Sequence, residues 1–234
     1  DEFTPHLGLD RRRIKMKEPL TIEKLKEEAK LFCEEQSKLN HKELFGVTDG
    51  KAVGTYVEHR FKEYLKEKYE VTIGNSASGI DLPSPDINTD IKVTSIKQPQ
   101  SSCPYKSSRQ KIYGLGYHLL VLVYDKIDGD DGSCTLRFLH TTFVDKNRTA
   151  DFTTTKRIRE MLRDGANKED LLAYFEDRNI PGDEITYDQL AEEVLSNPPE
   201  QGYLTISNAL QWRLQYSRVI NLKNTVEGVH NIDW

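Results

Sequence analysis

The sequence is poor in the features that mark several protein classes. Cysteine occurs only at Cys33, Cys103 and Cys134. An odd number at such wide separations suits neither a disulfide framework nor a closed zinc site, so free, mostly buried thiols are expected. No apolar run approaches the roughly 20 residues that cross a bilayer. The opening stretch DEFTPHLGLDRRRIKMK has no signal-peptide pattern, which points to a soluble, cytoplasmic protein. There is no internal repeat and no low-complexity tract, which argues against a solenoid. The six histidines show no pair at metal-ligand spacing. The GLG at Gly114 to Gly116 lacks the next glycine of a dinucleotide-binding fingerprint. Positive charge is not in excess either: the net charge is -5, so the molecule as a whole does not read as a polyanion binder.

Acidic residues, however, are missing in two places. From Ile91 to Tyr124 there is no Asp or Glu, while Lys92, Lys97, Lys106, Arg109 and Lys111 all fall there. Tyr203 to Val226 carries Arg213, Arg218 and Lys223, again without an acid. Two basic surfaces on an acidic body are what an enzyme acting on nucleic acid at a defined place requires.

The hydrophobic pattern divides the 234 residues into three stretches: an N-terminal helical segment (1–50), a core (51–150) and a helical C-terminal region (151–234). Helices are expected over Thr21 to Lys38, with Thr21 as cap, and over Lys51 to Lys68. On the second, Glu58 stands beside the stripe of Val53, Val57, Phe61 and Leu65. Strands are expected at Val71 to Ile73, Gly79 to Leu82, Asn88 to Ser95, His118 to Tyr124 and Thr135 to Val144, with a helix near Ser107 to Leu115. The unalternating run HLLVLVY fits a central strand covered on both faces. Beyond Thr153 the pattern predicts helices at 156–163, 168–178, 187–195 and 207–220. The expected class is α/β: a central mixed sheet flanked by helices, with a helical C-terminal extension.

One segment carries chemistry: SGIDLPSPDINTDIKVTS. Along Asn88 to Ser95, period two places Asp90, Lys92 and Thr94 on one face and Thr89, Ile91 and Val93 on the other. The turn at Pro83 to Asp86 would fold Asp81 back beside Asp90. Two carboxylates converging next to an ammonium suit a hard divalent cation, Mg2+ above all. Other matches to the short pattern, Glu28-x-Lys30 and Asp49-x-Lys51, fall in a helix and a turn, where the side chains would not be paired usefully.

A helix with Glu58, a hairpin from Asp81 to Lys92, a helix near Arg109 and the strand His118 to Tyr124 together resemble the core of the PD-(D/E)XK nuclease superfamily. Within it the chain is most similar to a type II restriction endonuclease, over roughly Ala52 to Val144. The resemblance implies Asp81, Asp90 and the Ile91 carbonyl as metal ligands, Lys92 as the residue that orients or deprotonates the attacking water, and Glu58 as the acid of the first core helix. The sequence departs from the family pattern at Ile80, where a proline is usual, and a literal Pro85-Asp86 lies nearer to Asp90. Asp81 is preferred over Asp86, because the interval from Asp86 to Asp90 is too short for a hairpin.

For DNA contact the sequence offers Lys97, Gln98, Gln100, Ser101, Ser102, Lys106 and Arg109 after the catalytic strand, as phosphate and base-edge partners. It also offers Asn208, Gln211, Arg213, Gln215 and Arg218 on a C-terminal helix in an arrangement similar to a helix-turn-helix. The expectation is a Mg2+-dependent, homodimeric endonuclease cutting double-stranded DNA at a specific sequence. A cognate methyltransferase would belong to the same system without being a stable partner. Two alternatives are a structure-specific repair or recombination nuclease and a non-catalytic helix-turn-helix regulator.

Overall fold

A computed structural model describes residues 16–75, 79–102, 104–207 and 213–232. The chain starts with β1 (Glu18–Pro19) and α1 (Ile22–Gln36), followed by α2 (Gly50–Lys68) and β2 (Tyr69–Glu70). Thr21 caps α1 by accepting from the Lys24 N–H, and Asp49 caps α2 by accepting from the Lys51 N–H. Each cap satisfies a donor that the helix cannot. β1 and β2 pair in parallel as a small separate ribbon. The strand expected at Val71 to Ile73 is absent; those residues run without a sheet partner, with Val71 and Ile73 packed sideways on the core.

The main sheet comprises β3 (Thr89–Ser95), β5 (His118–Asp128), β6 (Cys134–Val144) and β9 (Val229–Asn231), in the order β3-β5-β6-β9. It is mixed: β3 runs parallel to β5, whereas β6 is antiparallel to both β5 and β9. Leu119, Leu120, Val121, Leu122 and Val123 of β5 are all at 0% exposure. Burial of each such side chain is worth about 1.5–3 kcal/mol, so this central strand anchors the fold. Leu120, Leu122 and Tyr124 meet α1 and α2, while Leu119, Val121 and Val123 face a second cluster with Leu214, Tyr216 and Val219.

Between β3 and β5 lie β4 (Gln100–Ser102) and α3 (Ser108–Tyr113). After β6 come α4 (Phe152–Arg163), α5 (Lys168–Asp177) and α6 (Glu184–Ser196), which pack around Ile158, Leu171, Phe175 and Val194 with Ile112 of α3. Then follow β7 (Thr205–Ile206), β8 (Arg213–Gln215) and α7 (Ser217–Ile220).

The helix expected over Ser207 to Ile220, and with it the helix-turn-helix, is corrected here. Among the described residues of this stretch, Arg213 to Gln215 form a strand and only Ser217 to Ile220 are helical. The physical reason is a period of two: Leu214 and Tyr216 are buried, whereas Arg213 and Gln215 between and beside them are more exposed. Asn208 and Gln211 lie outside the described residues. Cys33 and Cys134 are free and buried, and Cys103 lies outside the described residues. Among the described residues no helix is long and apolar enough to cross a membrane.

Candidate active site

β3 is an edge strand of the main sheet, paired on one side by β5. At its start the chain forms a minimal hairpin: Leu82 and Thr89 exchange two backbone hydrogen bonds, of 3.0 and 3.1 Å. That register sets Asp81 next to Asp90, and the two are fastened reciprocally. The Asp81 N–H donates to Asp90 Oδ1 at 3.2 Å, and the Ile91 N–H donates to Asp81 Oδ2 at 2.9 Å. Asp86 sits exposed in the turn, away from this pair.

The remaining oxygens meet lysines. Lys92 Nζ lies 2.8 Å from Asp90 Oδ2, and Lys62 Nζ contacts both Asp81 Oδ1 and, at 2.6 Å, Glu58 Oε1. Glu58 and Lys62 are one helical turn apart on α2, in a row that starts at Gly54. A Cβ at Gly54 would stand 3.3 Å from the Val93 carbonyl oxygen, so the missing side chain lets α2 approach β3 closely. The sequence thus brings Glu58, Asp81, Asp90 and Lys92 to one place, along the wall of a cleft of about 700 Å³. The same approach of α2 brings in Lys62, a residue that the sequence alone does not assign to the site.

Burial pushes Asp90 up to about 6, with the nearby Asp81 adding to the rise and Lys92 opposing it. Glu58 is raised as well, by burial against the pull of Lys62 and with Asp81 contributing. Burial works to raise Asp81 too, but hydrogen bonds from its neighbours, Lys62 and the Ile91 N–H among them, hold it below the ordinary range. Lys62, although burial disfavours its charge, is raised by Asp81 and Glu58.

Three carboxylates stand against two ammonium groups, leaving one negative charge uncompensated when all are ionised. Among the described residues no group of three or more His, Cys, Asp or Glu forms a ready-made metal cage. The donor set nevertheless fits a hard cation that keeps part of its water shell: carboxylate oxygens, a neighbouring backbone carbonyl and no soft ligand.

A family model for the type II restriction enzyme NspV matches residues 19–231. The chain belongs to the NspV family of type II restriction enzymes. It is 57% identical over 211 residues to the type II restriction enzyme NspV of Nostoc sp. (strain ATCC 29411 / PCC 7524), an alignment covering 90% of this chain and 95% of that enzyme. No solved structure matches the chain. The match spans the α/β core expected from the sequence and continues to β9, so it covers the whole main sheet and the three-stranded one of this chain.

The residues expected to touch DNA are divided in this member of the NspV family. Lys97 and Gln98 are exposed in the turn after β3, Gln100, Ser101 and Ser102 make up β4, and Lys106 is exposed just before α3. Arg109 is engaged elsewhere: its Nη2 lies 2.6 Å from Glu193 Oε1 of α6, and its guanidinium covers the Tyr113 ring at 4.8 Å. Arg213 is on β8, whose strand pairs with β4.

Proposed function

We propose that the protein hydrolyses phosphodiester bonds of double-stranded DNA with Mg2+ at the Asp81, Asp90 and Lys92 edge of the main sheet. The protein is a type II restriction enzyme, a site-specific deoxyribonuclease, as its family and its 57% identity to NspV establish. Type II restriction enzymes as a class need a divalent metal. The observation that supports this site is the reciprocal fastening of Asp81 and Asp90, which holds two carboxylates together on an open sheet edge.

Asp81, Asp90 and the Ile91 carbonyl would hold the metal, and when bound it neutralises charge on the phosphate and acidifies a water. Lys92 is the residue that orients this water, because its ammonium already donates beside Asp90 from the same face of β3. Glu58 and Lys62 act from α2: Glu58 holds Lys62, and Lys62 compensates the charge of Asp81, as a bound cation would also do. Lys97 and Lys106, exposed and in an acid-free stretch, hold the backbone of the duplex. The working unit is taken to be a homodimer, in which two such centres would each cut one strand. A methyltransferase of the same specificity protects the host DNA and does not remain bound.

Digestion of DNA of known sequence, with and without Mg2+, tests the reading. Discrete fragments that require the metal are expected, and Asp90→Ala protein that folds should yield none. Cleavage confined to branched or mismatched substrates would point to a repair nuclease. Near-normal cutting by folded Asp90→Ala would remove the site.

A further inference from the structure

The two acid-free stretches of the sequence, far apart in the chain, are joined in space. β4 pairs antiparallel with β8, and β8 with β7, in a three-stranded sheet of order β4-β8-β7. Its register defines two faces. Ser101 lies opposite Leu214, which lies opposite Ile206. Leu214 and Ile206 are buried in the cluster of Leu119, Val121 and Val123, so this row faces inward. The alternate rows must point outward, and there Gln100 lies opposite Gln215, which lies opposite Thr205; Arg213 and Ser102 form the next pair. That outer face carries amides, hydroxyls and a guanidinium, and no carboxylate.

The same sheet is clamped to the catalytic strand. Thr94 shares a face of β3 with Asp90 and Lys92. Its Oγ1 accepts from the Gln100 N–H at 3.1 Å and donates to the Gln100 carbonyl at 3.1 Å. Gln100 is therefore fastened to Thr94, which stands two residues of strand, about 7 Å, from Lys92 on the same face of β3. A pair of strands about 5 Å apart fits a major groove about 12 Å wide. Side by side on such a pair, two glutamine amides can each meet the N6 and N7 edge of an adenine in two hydrogen bonds.

We infer that the outer face of the β4-β8-β7 sheet is the base-reading surface of this enzyme, with Gln100 and Gln215 contacting adenines in the major groove. The inference rests on the enzyme cutting double-stranded DNA at one sequence. The wild-type digest separates the two: without discrete fragments it is that reading which fails. With the site known, binding of Gln215→Ala and Gln100→Ala is measured on the cognate duplex and on an unrelated duplex, with Ca2+ in place of Mg2+ and at several salt concentrations. Loss of one bidentate contact corresponds to about 5- to 150-fold weaker cognate binding. Affinity for the unrelated duplex and the salt slope should not change, and cleavage should become tolerant at an A·T pair. Gln215 is exposed, so melting temperature should hold, and Gln215→Glu, which places an acid in the groove, should lose more than Gln215→Ala. Unchanged cognate affinity in both alanine variants, or an equal loss on both duplexes, would overturn the assignment.

Discussion

Two carboxylate sites flank α2, one between it and α1 and the other between it and β3, and they behave in opposite ways. Glu28 of α1 is a single carboxylate held by three donors: Tyr64 at 2.6 Å, Lys68 at 2.7 Å and Tyr69 at 2.7 Å. Burial works to raise it, yet these hydrogen bonds outweigh burial and hold it below the ordinary range. In the candidate active site three carboxylates share two ammonium groups, and Glu58 and Asp90 are raised. Proximity to lysine does not distinguish them. The ratio of donors to carboxylates does: the first cluster is complete, and the second is one positive charge short.

The largest test of this contrast is Asp81→Asn or Asp90→Ala. Either should reduce cleavage to background while cognate binding and melting temperature survive, because a ligand is removed and no core side chain is. Asp86→Asn, in the exposed turn, should keep most of the activity. If the two aspartates exchanged these outcomes, the hairpin register would have the wrong meaning.

Next comes Glu28→Ala, expected to cost about 2–3 kcal/mol, since three hydrogen bonds to a charged group are lost, with specific activity of the folded protein unchanged. Because its folded pKa is lowered, Glu28 contributes stability above its ordinary value near 4.5. That stability is lost as pH falls through the lowered folded value. Denaturant titrations between pH 3 and 7 should show Glu28→Ala closing on wild type at the acid end. A gap of constant size would break the comparison.

Asp90 carries the opposite sign. Its folded pKa of about 6 lies above its ordinary value, so its ionisation destabilises the metal-free protein as pH rises through that value. Asp90→Asn should therefore raise the stability of metal-free protein at pH 8, by about 1–2 kcal/mol, and do nothing at pH 4. Metal affinity of the wild type, followed by calorimetry, should decline below about pH 6 as Asp90 takes up a proton. Destabilisation of metal-free Asp90→Asn at pH 8 would contradict the charge deficit.

The smallest effect is expected at Arg109, whose partner Glu193 is matched to it as fully as Glu28 is to its donors. Their pair is exposed enough that Arg109→Ala should change stability by less than about 1 kcal/mol. DNA affinity and its salt slope should stay unchanged unless the duplex draws Arg109 away from Glu193. A slope lower by about one unit would show that it does.

What could be read from the sequence follows the range over which each signal acts. Asp81, Asp90 and Lys92 are legible because a turn and a two-residue period suffice to bring them together. The unbroken apolar run of β5 announces a strand buried on both faces, and Thr21 marks the start of α1. Lys62 was not legible as part of the site, since only the packing of α2 at Gly54 against Val93 brings it to Asp81. β8 was misread because Leu214 and Tyr216 in a short run satisfy period two, while the longer stretch around them also tolerates a helical period. β7 and β9 have two and three residues and leave no periodic trace at all.

The pairing of β4 with β8 also sets an order in time. Asp81 to Lys92 is a local hairpin, whereas residues 100–102 must wait for residues 213–215, roughly 110 positions further on, before their sheet can close. As the chain leaves the ribosome, the cutting residues can be assembled while most of the reading surface is still unmade. With base reading assigned to that sheet, selectivity is the last property the enzyme gains as it folds, and the first that local opening of three short strands would take away.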